Sequence, residues 1–107
     1  MQWQVILTDD AAYDLERIYA TVYRQDDIPG QADIVLDQLT QALQSLTHHP
    51  EFGVPPEELL TLGIREYLEI KSQVYRIIYR VASKAVYVML IADERGDMQS
   101  LLQRRLL

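Results

Sequence analysis

The run from Val74 to Val81 constrains the fold most, because charged and apolar side chains alternate along a β-rich stretch. It reads Val-Tyr-Arg-Ile-Ile-Tyr-Arg-Val, and a period of two places Arg76, Ile78 and Arg80 on one face. The opposite face then carries Tyr75, Ile77, Tyr79 and Val81. An arginine inside so apolar a run is unfavourable unless its charge meets an anion. We therefore expect one face of this strand to build the core and the other to present guanidinium groups to a carboxylate or phosphate.

Further strand-like runs cover residues 64–70, residues 85–91 and the N-terminal segment Trp3–Leu7. Alternation gives Arg65, Tyr67 and Glu69 a common face, and Arg95 follows the last strand in a loop. If these faces coincide, three or four arginines line one side of the sheet. The alternative is that Arg65 and Arg76 pair with Glu66 or Glu69 across the strands and have no functional role. Ser83-Lys84 stands at hairpin distance between the last two strands and leaves the turn type open.

Two apolar stripes with a helical period predict amphipathic helices over residues 9–25 and 30–48. Thr8, Asp9 and Asp10 are candidates for the first N-cap, and Pro29-Gly30 separates the helices into an antiparallel hairpin. Residues 50–63 are predicted to be a connecting loop anchored by Leu59, Leu60 and Leu62, and residues 97–107 a short C-terminal helix. The order predicts an α+β fold in one domain over residues 1–107, with the helical hairpin packed on a mostly antiparallel four-stranded sheet.

The charge distribution divides the chain. Residues 1–60 hold eleven acidic residues against two arginines, a balance of −9, whereas residues 61–107 hold eight basic and five acidic residues, a balance of +3. The basic half favours an anionic partner. Cysteine is absent, which excludes thiolate catalysis and disulfides, and His48-His49 lacks the carboxylate or histidine pattern of a metal site. No cofactor or phosphate-loop motif is present, and the lack of a long apolar segment predicts a cytoplasmic protein without a membrane partner.

Several segments in a fixed order resemble the RelE/ParE superfamily of type II toxins, the toxic halves of toxin–antitoxin pairs. They are the first helix centred on Leu15, His49-Pro50, Gly63–Tyr67, Tyr75–Tyr79, and the tail Asp97–Leu102. The Tyr-Arg-Ile-Ile-Tyr run and the arginine opening the preceding strand are the most specific of these. The resemblance covers nearly the whole chain and implies the fold predicted above.

The resemblance also implies two alternative activities. RelE-like members cleave messenger RNA on the ribosome with cationic sheet residues, and on that reading Arg65, Arg76 and Arg95 are the catalytic candidates. This chain carries Tyr67, Glu69 and Leu101 where such enzymes carry basic or acid/base residues. ParE-like members, linked to plasmid stabilisation, inhibit DNA gyrase and commonly end in an amphipathic tail like residues 97–102. The chain is more similar to the ParE-like members.

A toxin of this superfamily implies a cognate antitoxin that wraps the domain and forms a hetero-oligomer with it. The predicted partner-binding residues are the sheet arginines and the tail, namely Arg65, Arg76, Arg80, Arg95, Leu101, Leu102, Arg104 and Arg105. Gyrase is the expected target, with the ribosome and its messenger as the alternative. A third reading is a degenerate paralogue that binds antitoxin and has lost toxicity.

Overall fold

The computed structural model describes residues 2–25 and 27–107 of the 107-residue chain. The strands are β1 (Gln4–Leu7), β2 (Leu68–Ser72), β3 (Tyr75–Ala82) and β4 (Ala85–Asp93), and the α-helices are α1 (Asp9–Arg24), α2 (Gln31–Ser45), α3 (Glu57–Leu60) and α4 (Met98–Leu106). These elements confirm the predicted α+β class. Within the described ranges, no helix is long and apolar enough to cross a bilayer.

The four strands form one sheet in the order β1-β4-β3-β2. Neighbours pair antiparallel, except that β1 lies parallel to β4. The β3–β4 hairpin turns at Ser83 and Lys84, whose φ angles of 52° and 66° are both positive. Positive φ at both central residues is the signature of a type I′ turn, which matches the right-handed twist of the strands. The turn therefore forms without the asparagine and glycine that usually mark it.

The sheet is covered on both faces. The helical hairpin of α1 and α2 packs on one face, as predicted, around a cluster that includes Leu39, Leu46, Ile77, Tyr79 and Val88. On the opposite face, α3 and α4 cover a second cluster made of Leu59, Tyr67, Ile78, Leu90, Met98 and Leu102. The alternation predicted for β3 is confirmed, because Ile77 and Ile78 are both fully buried but belong to different clusters.

A β-bulge near the middle of β4 changes which of its side chains point to each face of the sheet. Ile78 pairs with Leu90 and Tyr79 pairs with Val88, so Met89 has no partner residue on β3. The extra residue reverses the alternation: Val88 contributes to the hairpin-side cluster and Leu90 to the opposite one. β4 also extends to Asp93, two residues beyond its predicted end.

Two predictions around α3 were wrong: the start of the strand that follows it, and the loop predicted over residues 50–63. The strand predicted over residues 64–70, the second along the chain, begins at Leu68 rather than Ile64, so Arg65 lies outside the sheet and shares no strand face with Glu69. The predicted loop over residues 50–63 contains a 3₁₀ turn, Pro50–Phe52, and the short helix α3. Leu59 anchors this segment and is buried as predicted, whereas Leu62 is 47% exposed. Pro56, whose ring fixes φ near −60°, is the N-cap residue that precedes α3, and the proline-rich composition concealed this helix start.

The Tyr79 hydroxyl fastens this connecting segment to the sheet. It donates to the Pro50 carbonyl at 2.6 Å and accepts the Gly53 N–H at 3.0 Å. A Cβ at Gly53 would overlap the Tyr79 hydroxyl and lie 2.8 Å from the Glu69 carbonyl oxygen. Gly53 has φ −71°, which any residue can adopt, so this glycine is needed for space rather than for backbone conformation.

We predict that Gly53→Ala destabilises the fold by about 1–3 kcal/mol, because the added methyl forces Tyr79 or the Glu69 backbone to move. Gly96→Ala is the matched control, since a Cβ there meets nothing closer than the Asp93 carbonyl at 3.6 Å. Urea denaturation measures both free energies of unfolding. Equal stability of the two variants would show that the segment is not held against Tyr79.

Candidate functional site

Arg76 lies in a buried ion cluster with two glutamates. Its Nη1 and Nη2 donate to the two oxygens of Glu58, in α3, at 2.7 and 2.8 Å. Its Nη2 and Nε also donate to Glu69, on the adjacent strand β2, at 2.6 and 2.9 Å. The Arg76 side chain is only 10% exposed and that of Glu69 only 9%. All three guanidinium nitrogens therefore donate to carboxylates of the same chain.

The cluster favours the charged states of Glu58 and Arg76. Hydrogen bonds from Arg76 lower the pKa of Glu58, an effect that burial partly opposes. Hydrogen bonds to Glu58, followed by those to Glu69, raise the pKa of Arg76 against the opposing effect of burial. Two carboxylates and one guanidinium leave the cluster with one net negative charge. A phosphate approaching Arg76 would have to displace a buried carboxylate.

The groove around Arg76 is acidic rather than basic. It has a volume of about 400 Å³ and is lined by four carboxylates and two cations, namely Glu57, Glu58, Glu69, Glu94, Lys71 and Arg76. Lys71 pairs with Glu94 at 3.2 Å, so both cations already have carboxylate partners. This is the opposite of the cationic face predicted from the strand pattern. Within residues 2–25 and 27–107, no cluster of potential ligands is arranged to hold a metal ion.

A second buried ion pair joins α1 to α4. The Arg105 guanidinium donates to both oxygens of Asp14 at 3.0 Å, and it also donates to the carbonyl of the bulge residue Met89 at 3.0 Å. Asp14 in turn accepts the Ile91 N–H at 3.0 Å. Asp14 is 8% exposed, so a buried carboxylate and its guanidinium partner hold α4 against α1 and β4.

The remaining predicted arginines do not join Arg76. Arg65 is exposed in the segment before β2 and makes no ion pair with any described residue. Arg80 lies 5.6 Å from the centre of the Tyr87 ring, a cation–π distance. Arg95 binds Asp93 through its Nε at 2.9 Å, and these hydrogen bonds lower the pKa of Asp93. The predicted row of three or four guanidinium groups on one face of the sheet therefore does not form.

The predicted tail residues divide between the core and the surface. Leu102 is fully buried in the second cluster, and Arg105 is engaged with Asp14. Leu101 is half-buried and Arg104 exposed, so they are the members of this set that a partner reaches without unfolding α4. Asp97 caps the helix by accepting hydrogen bonds from the Ser100 hydroxyl at 2.8 Å and from the Ser100 N–H at 3.2 Å. The hydroxyl bond, followed by the N–H bond, lowers the pKa of Asp97.

Sequence reasoning missed Glu58 and Asp14, the carboxylates on which both clusters depend. Glu58 stands in a segment interpreted as loop, where an acidic residue gives no positional signal. Asp14 carried a readable signal, because it lies one residue before Leu15 and three after the buried Ala11 on the helix. A carboxylate on the inward stripe of an amphipathic helix indicates a buried cationic partner.

The described elements define a class of protein: a single α+β domain in which a helical hairpin and a C-terminal helix enclose a four-stranded sheet. The profile of the ParE toxins of type II toxin–antitoxin systems, parDE, matches residues 5–98. The chain therefore belongs to the ParE toxin family. A search of curated proteins found no match.

Solved structures share the fold at low sequence identity. A chain of the chromosomal ParDE system from P. aeruginosa aligns with a TM-score of 0.71 and 18% identity, covering 86% of this chain and 96% of that one. The toxin–antitoxin complex RelBE2 from Mycobacterium tuberculosis gives 0.61 at 19% identity, covering 91% and 95% respectively. A mutant of the E. coli toxin RelE in the free state gives 0.63 at 18% identity, covering 100% of both chains.

We predict that Glu58→Gln destabilises the domain by about 1.5–3 kcal/mol at neutral pH, because Arg76 loses a charged hydrogen-bond partner. Folding lowers the pKa of Glu58 below its ordinary 4.5, so this contribution is present above pH 4.5 and is lost as pH falls through the folded value. The difference in unfolding free energy between the wild type and Glu58→Gln should thus narrow as pH falls below 4.5. Glu57→Gln is the neighbouring control. A difference that stays constant from about pH 7 down to the onset of acid unfolding would contradict the ion cluster.

Proposed function

We propose that this ParE-family toxin acts by binding, with DNA gyrase as its target in the cytoplasm, and that a cognate antitoxin neutralises it. The RelE-like alternative, cleavage of messenger RNA on the ribosome, needs free cations at the scissile phosphate. The observation that carries the proposal is the Glu58–Arg76–Glu69 cluster, which satisfies the best-placed arginine of the sheet within the chain.

The charge of the groove supports binding over cleavage. Four carboxylates surround Arg76 and Lys71, so a ribose phosphate placed there would meet net repulsion. Of the other two catalytic candidates, Arg95 is paired with Asp93 and Arg65 lies in the segment before β2, and both are outside this groove. General acid–base chemistry also needs a donor and an acceptor around the 2′-hydroxyl, whereas Glu58 and Glu69 already accept hydrogen bonds from Arg76.

Two observations support an antitoxin partner: the family to which the chain belongs, and the arginines that have no carboxylate partner in the described residues. The ParDE and RelBE2 structures that share this fold are toxin–antitoxin systems. Arg65, Arg80 and Arg104 remain available to a partner's carboxylates, since none of them makes an ion pair with another described residue. Arg76 has its carboxylates already, so we place the charged contact on these other arginines. Such a complex is a hetero-oligomer.

We predict that the purified protein inhibits gyrase supercoiling of plasmid DNA and leaves ribosome-bound messenger intact. Adding stoichiometric antitoxin should restore gyrase activity. Arg76→Ala and Arg95→Ala are assayed beside the wild type for messenger cleavage by primer extension on translating ribosomes. Cleavage that the wild type performs and both variants lose would overturn the proposal in favour of the ribonuclease. Antitoxin binding without activity on either target would identify a degenerate paralogue.

We predict that Arg80→Ala together with Arg65→Ala weakens antitoxin binding by about tenfold or more, because each removes a charged hydrogen-bond donor from the open surface. Calorimetric titration measures the dissociation constant. Arg24→Ala is the control, since Arg24 is exposed at the end of α1 and lies on the far side of the sheet from Arg80. Deletion of residues 98–107 is unsuitable here, because it removes the buried Met98 and Leu102. Unchanged affinity of the double variant would place the contact elsewhere.

A further inference from the structure

The segment before α3 exposes two large apolar side chains on a backbone that is firmly held. Phe52 is 68% exposed and Val54 is 63% exposed. Gly53, between them, donates its N–H to the Tyr79 hydroxyl at 3.0 Å. Val54 exchanges two backbone hydrogen bonds with Glu69 of β2, at 3.0 and 2.7 Å. The two apolar side chains are therefore exposed on a segment whose backbone is fixed to the sheet.

This arrangement pre-organises Phe52 for contact with another molecule. Its ring stacks on the His49 imidazole, with 4.4 Å between the ring centres and 3° between the ring planes, which restrains its rotamer in the free protein. A restrained apolar side chain loses little conformational entropy when a partner covers it, and the burial of its surface is favourable. Single exposed apolar residues are common on protein surfaces, but two of them on a fixed segment beside a groove are typical of an interaction site.

The groove beside Val54 determines the charge of the partner. Val54 and Pro55 line the groove around Arg76, in which carboxylates outnumber cations by four to two. Lys71 and Arg76 are already paired, whereas Glu57 is exposed and makes no ion pair within the described ranges. The excess negative charge repels a phosphate backbone and attracts an ammonium or guanidinium group. Lysine and arginine also carry an aliphatic stem that packs on apolar side chains such as Val54.

We propose that Phe52, Val54, Pro55 and Glu57, which we call the Phe52 surface, bind gyrase through a protein segment that carries a lysine or arginine next to an apolar side chain. The inference rests on the proposed function for the identity of the target. The side chains proposed to contact the antitoxin are arginines, whereas the Phe52 surface is apolar and acidic. The toxin thus recognises its target and its antitoxin through different side chains of opposite charge.

The test measures the toxin concentration that halves the supercoiling activity of the gyrase holoenzyme. Phe52→Ala and Glu57→Lys should each raise that concentration by about tenfold or more, because the first removes the apolar anchor and the second reverses the charge that meets the partner. Tyr23→Ala and Asp37→Lys are the matched controls and should inhibit like the wild type. Tyr23 is 66% exposed, and both control residues lie in the helical hairpin, which covers the opposite face of the sheet from α3.

Two further measurements show that the variants keep their structure. All four substituted side chains are exposed, so thermal unfolding of each variant should match that of the wild type. Calorimetric titration should also give each variant the wild-type affinity for the antitoxin encoded beside the toxin.

Each result separates the inference from the proposed function. Wild-type inhibition that Phe52→Ala and Glu57→Lys leave unchanged overturns the Phe52 surface and leaves gyrase as the target. Absence of inhibition by the wild type overturns both. Stronger inhibition by Glu57→Lys would indicate an anionic partner such as DNA, and weaker antitoxin binding by either variant would assign the surface to the antitoxin. Both of these results contradict the inference, as does a toxin homodimer that Phe52→Ala disrupts in analytical ultracentrifugation.

Discussion

The burial of Arg76 is the constraint on which the rest of the structure depends. β3 lies in the interior of the sheet, with β2 and β4 on either side, and both of its faces are covered by helices. A guanidinium in that position needs carboxylates, which Glu69 supplies from β2 and Glu58 from α3. The need to bring Glu58 to Arg76 fixes α3 against the sheet, and the Tyr79 hydroxyl fastens the segment that precedes it.

The same cluster connects the fold to function. A sheet of this shape in which the central arginine is free presents a cation to a phosphate, whereas here the glutamates convert the surface into an acidic groove. The domain thus keeps the family's scaffold, while the groove around Arg76 carries more carboxylates than cations. The Asp14–Arg105 pair works in a similar way at the other end of the sheet, where it holds α4 in place and leaves Arg17 and Arg104 at the surface.

The periodicity of apolar residues was sufficient to predict the helical hairpin, the order of the strands along the chain, and the burial of β3 side chains on opposite faces of the sheet. These features are local or follow from repeated apolar spacing, and the structure confirms them through Leu39, Ile77 and Ile78. The site was less predictable because it depends on contacts between distant residues. Glu58 and Arg76 are 18 positions apart and Asp14 and Arg105 are 91 apart, and no periodic pattern reports such pairings. The bulge at Met89 could not be predicted either, because it moves the following side chains to the other face of the sheet and no glycine marks it in the sequence.

The most direct test of the central claim is the exchange rate of the Arg76 Nε proton, followed by NMR in the free toxin and during titration with single-stranded RNA. A guanidinium held by Glu58 and Glu69 should give a slowly exchanging Nε–H resonance that RNA leaves in place. The Arg104 resonance, from an exposed side chain, serves as the rapidly exchanging reference. A rapidly exchanging Arg76 proton whose resonance shifts as RNA is added would show that the arginine is free for phosphate and would contradict the account.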